Sequence, residues 1–204
     1  MKKDKFDQKK KDIKAAGIKT FAVYGFYKTT LEDIAGVLGM KKNSLYYYYE
    51  SKEALFREII DDEITEHLQV LYEIIKIDIS ADQKIIEIVS TLSEFIRQRT
   101  LKYTIRLSAY IEFGKVIRKE FSDFKRKESE IIESILKDGI KSGLFVKHDT
   151  KILAEDITNL IPAMFRNHYV DSDAEFVHEI NFEEIVHINK RLINYIINGI
   201  KVKN

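Results

Sequence analysis

The sequence predicts an all-α protein, with a small N-terminal head of three helices and a larger helical body, and three observations carry that prediction. Apolar residues recur at spacings of three and four along most of the chain. Capping residues and glycines interrupt that pattern at intervals suited to helix ends. Alternation of apolar and polar residues, the mark of a strand, never persists beyond a few positions. With 204 residues and 45% hydrophobic content the chain can bury a substantial core. The natural division is a head over residues 1–50 and a body over residues 51–204.

Each helix has its own local signal. Thr30 precedes a helix and Asp33 stands three residues later, so hydroxyl and carboxylate can satisfy orphan N–H groups reciprocally. Ile34, Ala35, Leu38, Met40 and Leu45 fall where two steeply crossing helices touch, and Ala35 leaves room for the crossing. Gly39 follows that helix where the chain must turn left-handed, which a residue without Cβ does at least cost. A continuous helix is expected from Ser51. Ser80-Ala81-Asp82-Gln83 reads as a capping box opening a helix through Ile85, Ile88, Leu92 and Phe95. A short helix is expected from about Leu101 to Phe113, then a long one ending at Gly143 with Lys141 in its last turn. Asp149 or Thr150 starts the next, which carries Leu153, Ile157, Leu160, Ile161 and Met164 and is bent by Pro162. Asn181 with Glu184 caps the last, through Ile185, Ile188, Leu192 and Ile196.

Tyr46 to Tyr49 are four consecutive tyrosines. Successive helix positions differ by about 100°, so the run sweeps most of the circumference and cannot be buried entire. Leu45 and Tyr49, four apart, take the inward face. Tyr46, Tyr47 and Tyr48 are left on the side of Lys42 and Asn43, an aromatic, hydrogen-bonding, cationic surface. Charge is distributed to match: residues 1–52 hold 12 Lys+Arg and 6 Asp+Glu, a net +6, while the remainder is net −5. Much of the excess lies in MKKDKFDQKKK, which reads either as a solvated tail or as an arm trailing along phosphates.

The block from Thr29 to Leu55 resembles the DNA-binding head of the TetR family of bacterial transcriptional regulators. The resemblance joins Thr29-Thr30, Asp33-Ile34-Ala35, Gly39, Leu45-Tyr46 and S-K-E-x-L from Ser51 to Leu55 without a gap, and extends back to a first helix ending at Tyr24-Gly25-Phe26. It implies that Lys42, Asn43, Tyr46 and Tyr47 face the DNA groove and that Thr29, Thr30, Lys41, Tyr48 and Lys52 hold phosphates. Hydroxyls and N–H groups at a helix start suit phosphate oxygens, and lysine adds charge without demanding a base. Asn43 stands where the family often has glycine, Tyr48 where it often has histidine, and Tyr49 where phenylalanine is usual. Asn43 could pair bidentately with an adenine edge or act as a spacer. The resemblance further implies a homodimeric repressor on a near-palindromic double-stranded operator, its recognition helices about 34–36 Å apart, released by a small-molecule effector.

In the last helix Leu192, Ile193, Tyr195, Ile196 and Ile197 make a stripe too wide for one buried face. A second copy is expected to cover part of it, with Ile161, Phe165, Leu192, Ile193, Ile196 and Ile197 in the interface. A small, largely apolar effector is expected among Phe95, Tyr103, Arg106, Tyr110, Phe113, Met164 and His168, with Arg106, Tyr110 and Phe113 on one helix face. Two other classes compete: a helical adaptor whose tyrosine helix binds protein, and a metal-dependent helical-bundle enzyme. For the latter, Glu175-x-x-His178 and Glu184-x-x-His187 match di-iron spacing. Those pairs are nine residues apart with a helix start between them, so no enzyme, metal or cofactor is expected. The absence of cysteine removes disulfides and thiolate metal sites, and no apolar run approaches the roughly 20 residues of a membrane span. The expected location is the cytoplasm.

Overall fold

The computed structural model describes residues 2–170 and 172–203, excepting the side chains of residues 2, 3, 119, 120 and 161. Its helices are α1 (Lys2–Tyr24), α2 (Leu31–Val37), α3 (Lys42–Tyr46), α4 (Lys52–Lys76), α5 (Ala81–Lys102), α6 (Leu107–Val116), α7 (Arg118–Lys141), α8 (Thr150–Val170) and α9 (Phe182–Ile200), with a 3-10 turn at Val177–Glu179. The protein is all-α. Caps lie where local chemistry places them. The Ser51 hydroxyl accepts from the Ala54 N–H at 3.1 Å to start α4, and the Gln83 side chain accepts from the Ser80 N–H at 3.2 Å to start α5. Asp149 Oδ1 receives the Lys151 and Ile152 N–H groups before α8, and Asn181 Oδ1 that of Glu184 before α9. Gly25, Gly39 and Gly143 take positive φ after α1, α2 and α7.

Two expectations are corrected. The lysine-rich start is no tail, since it forms the first turns of α1. The helix expected over 101–113 is broken: α5 runs on to Lys102, and α6 begins only at Leu107. A distant segment draws residues 103–106 out of helical geometry. The Val177 N–H donates to the Ile105 carbonyl at 2.8 Å, the Leu107 N–H to Glu175 at 2.9 Å, and the Arg106 N–H to Ala22 at 2.9 Å.

Those bonds explain the composition of the first of two compact units, residues 1–63, 100–120 and 174–179. Its core gathers Ile13, Phe21, Phe26, Leu31, Ile34, Leu45, Tyr49, Leu55, Phe56 and Ile59. Phe56 makes ring contacts with Phe21, Phe26 and Phe113 at 4.9–5.3 Å between centroids. Lys10 pairs with Glu58 at 2.6 Å, and Lys14 with Glu58 and Asp62, tying α1 to α4.

The second unit comprises residues 64–99, 121–173 and 180–204. Ile85, Ile88, Leu92, Ile132, Leu136, Ile157, Ile185, Ile193 and Ile197 are buried in it. The α9 stripe is as wide as expected, but its halves differ. Ile193 and Ile197 are fully buried, and Phe165 is buried against Phe182 at 5.2 Å. These three pack inside the chain's own core and have little surface to offer a second copy, which corrects their place in the expected interface. Leu192 and Ile196 remain partly open beside the exposed Tyr195. The Ile161 side chain lies outside the described residues.

Polar groups also lie inside this unit. The His67 imidazole sits 4.7 Å from the Phe95 ring and 4.8 Å from that of Phe124, and desolvation, aided by Arg99, holds its pKa down at about 4. Glu128, one turn beyond Phe124, is buried, and desolvation pushes its carboxyl up to about 8 against the pull of Lys125. A carboxyl whose folded pKa exceeds its unfolded value of 4.5 favours the fold below that pH and loses this advantage as pH rises through about 8. Glu128→Gln should therefore remove a pH-dependent loss. Thermal or urea unfolding at pH 5 and pH 8 should show the variant gaining on the order of 2–4 kcal/mol over wild type at the higher pH and little at the lower.

Candidate nucleic-acid interface

The turn between α2 and α3 is specified residue by residue. The Thr30 hydroxyl accepts from the Asp33 N–H at 3.2 Å, while the Asp33 carboxylate accepts from the Thr30 N–H and hydroxyl at 2.8 and 2.7 Å. Those bonds, the hydroxyl's first, hold the Asp33 carboxyl below the usual range. After α2 the Met40 N–H returns to the Ala35 carbonyl at 2.9 Å. Gly39 is at φ +61° with open space around it, so its backbone angle rather than crowding requires glycine. Ile34, Ala35 and Leu45 are buried at the crossing of α2 and α3.

The short α3 then divides its side chains sharply. Leu45 and Tyr49 are buried, whereas Tyr46 is 47% and Tyr47 74% exposed. Lys41, Lys42 and Asn43 are exposed on the same short helix and its cap. Lys42 reaches back to Glu32 at 3.0 Å, an ion pair that raises its pKa. Tyr48 is half-buried, stacked on Phe6 from α1 at 5.0 Å. A cleft of about 400 Å³ runs beside the four tyrosines, with Glu50 and Glu58 on its wall.

Three of the expected phosphate ligands have other work. The Lys52 ammonium donates to the carbonyls of Phe26, Tyr27 and Thr29 at 2.8, 3.0 and 2.9 Å and lies 4.7 Å from the Phe26 ring. Three donors are all an ammonium has, so none is left for a phosphate. Thr29 is buried, its hydroxyl donating to the Gly25 carbonyl at 2.7 Å. Thr30 is exposed, but its N–H and O–H both donate to the Asp33 carboxylate, so it too has no donor to spare for a phosphate. The outward set is thus Lys41, Lys42, Asn43, Tyr46 and Tyr47, with Tyr48 at its edge. Sequence reasoning missed Phe6. Its signal was the seven-residue spacing to Ile13, which puts both on one face of α1.

The expected effector residues fall in separate units. Tyr103, Arg106, Tyr110 and Phe113 belong to the first, and Phe95, Met164 and His168 to the second. Arg106 caps α6 rather than sharing a helical face with Tyr110 and Phe113, its guanidinium held by Glu175 at 2.6 Å over the Phe176 ring. Phe113 packs on the head core through Phe56, and His168 Nδ1 bonds the Met164 carbonyl one turn back at 2.8 Å. Phe95 is accompanied by His67 and by Arg99, and His67 in turn meets the Phe124 ring. Of the E-x-x-H pairs, Glu175 is tied to Arg106 and His178 stacks on Phe176. Among the described residues no group of three or more His, Cys, Asp or Glu could hold a metal ion, and no helix is long and apolar enough to cross a membrane.

A capped helix, a left-handed glycine turn, and a short second helix with lysine, asparagine and tyrosine outward define a helix-turn-helix DNA-binding module. Residues 13–59 match the family model for bacterial regulatory proteins of the tetR family, so the head of this chain is similar to the DNA-binding heads of that family. The chain is 47% identical over 57 residues to the HTH-type transcriptional regulator RutR of Escherichia coli, a match spanning 26% of this chain and 27% of RutR. Against the HTH-type transcriptional regulator YhgD of Bacillus subtilis it is 26% identical over 148 residues, 72% of this chain and 76% of that protein. The crystal structure of a transcriptional regulator from Cytophaga hutchinsonii superposes with a TM-score of 0.74 at 26% identity, covering 93% of this chain and 97% of that one. These relatives are regulators, not enzymes.

Because Lys52 satisfies three acceptors, Lys52→Met should cost about 2–3 kcal/mol of unfolding free energy and several degrees in melting temperature, whereas Lys41→Ala should leave both unchanged. Parallel thermal melts of the two variants check this.

Proposed function

We propose that the protein is a homodimeric, ligand-responsive repressor whose paired heads read a near-palindromic operator. The observation that carries this reading is the division of α3. Leu45 and Tyr49 are buried while Lys41, Lys42, Asn43, Tyr46 and Tyr47 stand outward. Lys42, Asn43, Tyr46 and Tyr47 meet base edges, and Lys41 and Tyr48 steady the backbone. Residues 1–50 serve DNA binding, and residues 51–204 serve effector binding and dimerisation.

Dimerisation uses the outer edge of α9, where Leu192, Tyr195 and Ile196 keep apolar surface open. A small, largely apolar effector binds the body and favours a conformation whose heads no longer match the operator spacing, a coupling between two sites. The protein acts in the cytoplasm.

The DNA reading is tested by salt. With about six phosphates neutralised per complex, log K should fall against log salt with a slope near −5. Lys41→Ala should make that slope shallower by about 0.9 per protomer. A slope near zero for the wild type contradicts DNA as the partner.

A further inference from the structure

We infer that Phe6 is a specificity-determining residue of the DNA reader, acting through the recognition tyrosines rather than on DNA itself. The inference rests on the reading of α3 as the recognition helix. Phe6 stacks on Tyr48 with centroids 5.0 Å apart and planes 28° apart, and meets Tyr47 edge-on at 5.9 Å and 85°. Tyr47 and Tyr48 meet each other edge-on at 5.2 Å and 88°. Each ring therefore touches the other two, in arrangements that aromatic quadrupoles favour.

The two tyrosines need such a support. α3 ends at Tyr46, and Tyr47 caps it. Beyond that point the Tyr48 and Tyr49 N–H groups share one acceptor, the Leu45 carbonyl. Tyr47 is 74% exposed, so no core packing selects among its rotamers. Phe6 itself is well anchored. Further along α1, Ile13 is fully buried, Lys10 is paired with Glu58, and the Lys10 ammonium lies 4.8 Å from the Tyr49 ring centroid. The lower turns of α1 are pinned to the head, and its first turns carry one aromatic ring to the recognition tyrosines.

A ring held in place before binding has less freedom to lose on binding, so its contacts appear as affinity instead of being cancelled by ordering. Random DNA does not gain from a particular tyrosine orientation, because its contacts are made mainly to phosphates. Phe6 thus acts on discrimination more than on charge.

The test uses full-length protein and duplexes recovered from a random pool by the wild type, with scrambled DNA as control. Phe6→Ala should weaken binding to the selected duplex by about tenfold. Scrambled binding, the salt slope and the melting temperature should change little. Phe6→Trp, which keeps a ring, should restore most of the loss, and Phe6→Leu, which keeps only apolar bulk, should not. Equal weakening on both DNAs, restoration by leucine, or an unchanged selected-site affinity each overturns the inference, and the last leaves the DNA reading intact. Failure of the wild type to select any duplex overturns the underlying reading as well.

Discussion

The ammonium of Lys52 lies where the carbonyls of Phe26, Tyr27 and Thr29 converge, and the geometry of the head follows from that meeting. The turn from α1 to α2 must reverse the chain in a few residues, and it leaves acceptors that no helix can satisfy. One long side chain from the first turn of α4 reaches all three. The same short segment fixes the neighbouring elements. Gly25 takes positive φ to end α1, the Thr29 hydroxyl bonds back to its carbonyl, and Thr30 opens α2 with a reciprocal cap. Ser51, beside Lys52, caps α4, and Leu55 one turn later is fully buried. The starts of α2 and α4 are thereby locked to each other, and α3 has to lie between them. The S-K-E-x-L segment is an architectural device in this chain, and its contribution to DNA reading is indirect.

With α3 held on both sides, the angle between successive residues decides the rest. Leu45 and Tyr49 must turn inward together, and the intervening tyrosines must turn out. Three exposed aromatic rings in a row are a liability on a free surface. Here the third, Tyr48, is covered by Phe6 and the second is braced by it. Tyr48 stands where the resembling family often has histidine, and the ring that meets it comes from an α1 whose first turns carry the chain's lysine-rich start. The departure and its partner form one feature.

What was legible in the sequence was what is decided within about four residues. The Thr30 cap, the Gly39 turn, the Ser80, Asp149 and Asn181 starts and the split of the tyrosine run all depend on near neighbours, so spacing alone reveals them. What was not legible depends on residues far along the chain. Lys52 looks like a phosphate ligand until the carbonyls more than twenty residues before it are in place. Arg106 looks helical until Glu175 and Phe176 pull it out of register. The α9 stripe announced its width but not its division, because which of Ile193 and Leu192 faces inward depends on the helices packed against it. The same limit applied to Phe95, whose companion His67 lies on another helix.

Head and body therefore follow different rules. The head satisfies its awkward backbone groups with charged and hydroxyl side chains at short range, leaving little freedom. The second unit buries His67 Nε2 and Asn189 Oδ1 without a hydrogen-bond partner among the described residues, and buries Glu128 as well. Interiors selected for stability alone avoid such groups, since each costs about 1–3 kcal/mol when unpaired. Between about pH 4 and pH 8 the folded state keeps both the His67 imidazole and the Glu128 carboxyl neutral. Near neutral pH these two groups are polar but uncharged beside the charged Arg99 guanidinium, which lies 4.8 Å from the Phe95 ring centroid, and they can offer hydrogen bonds to a guest without adding the desolvation penalty of a further buried charge. That character suits a body proposed to answer a small molecule, and it qualifies the apolar effector by adding polar atoms that such a molecule could meet.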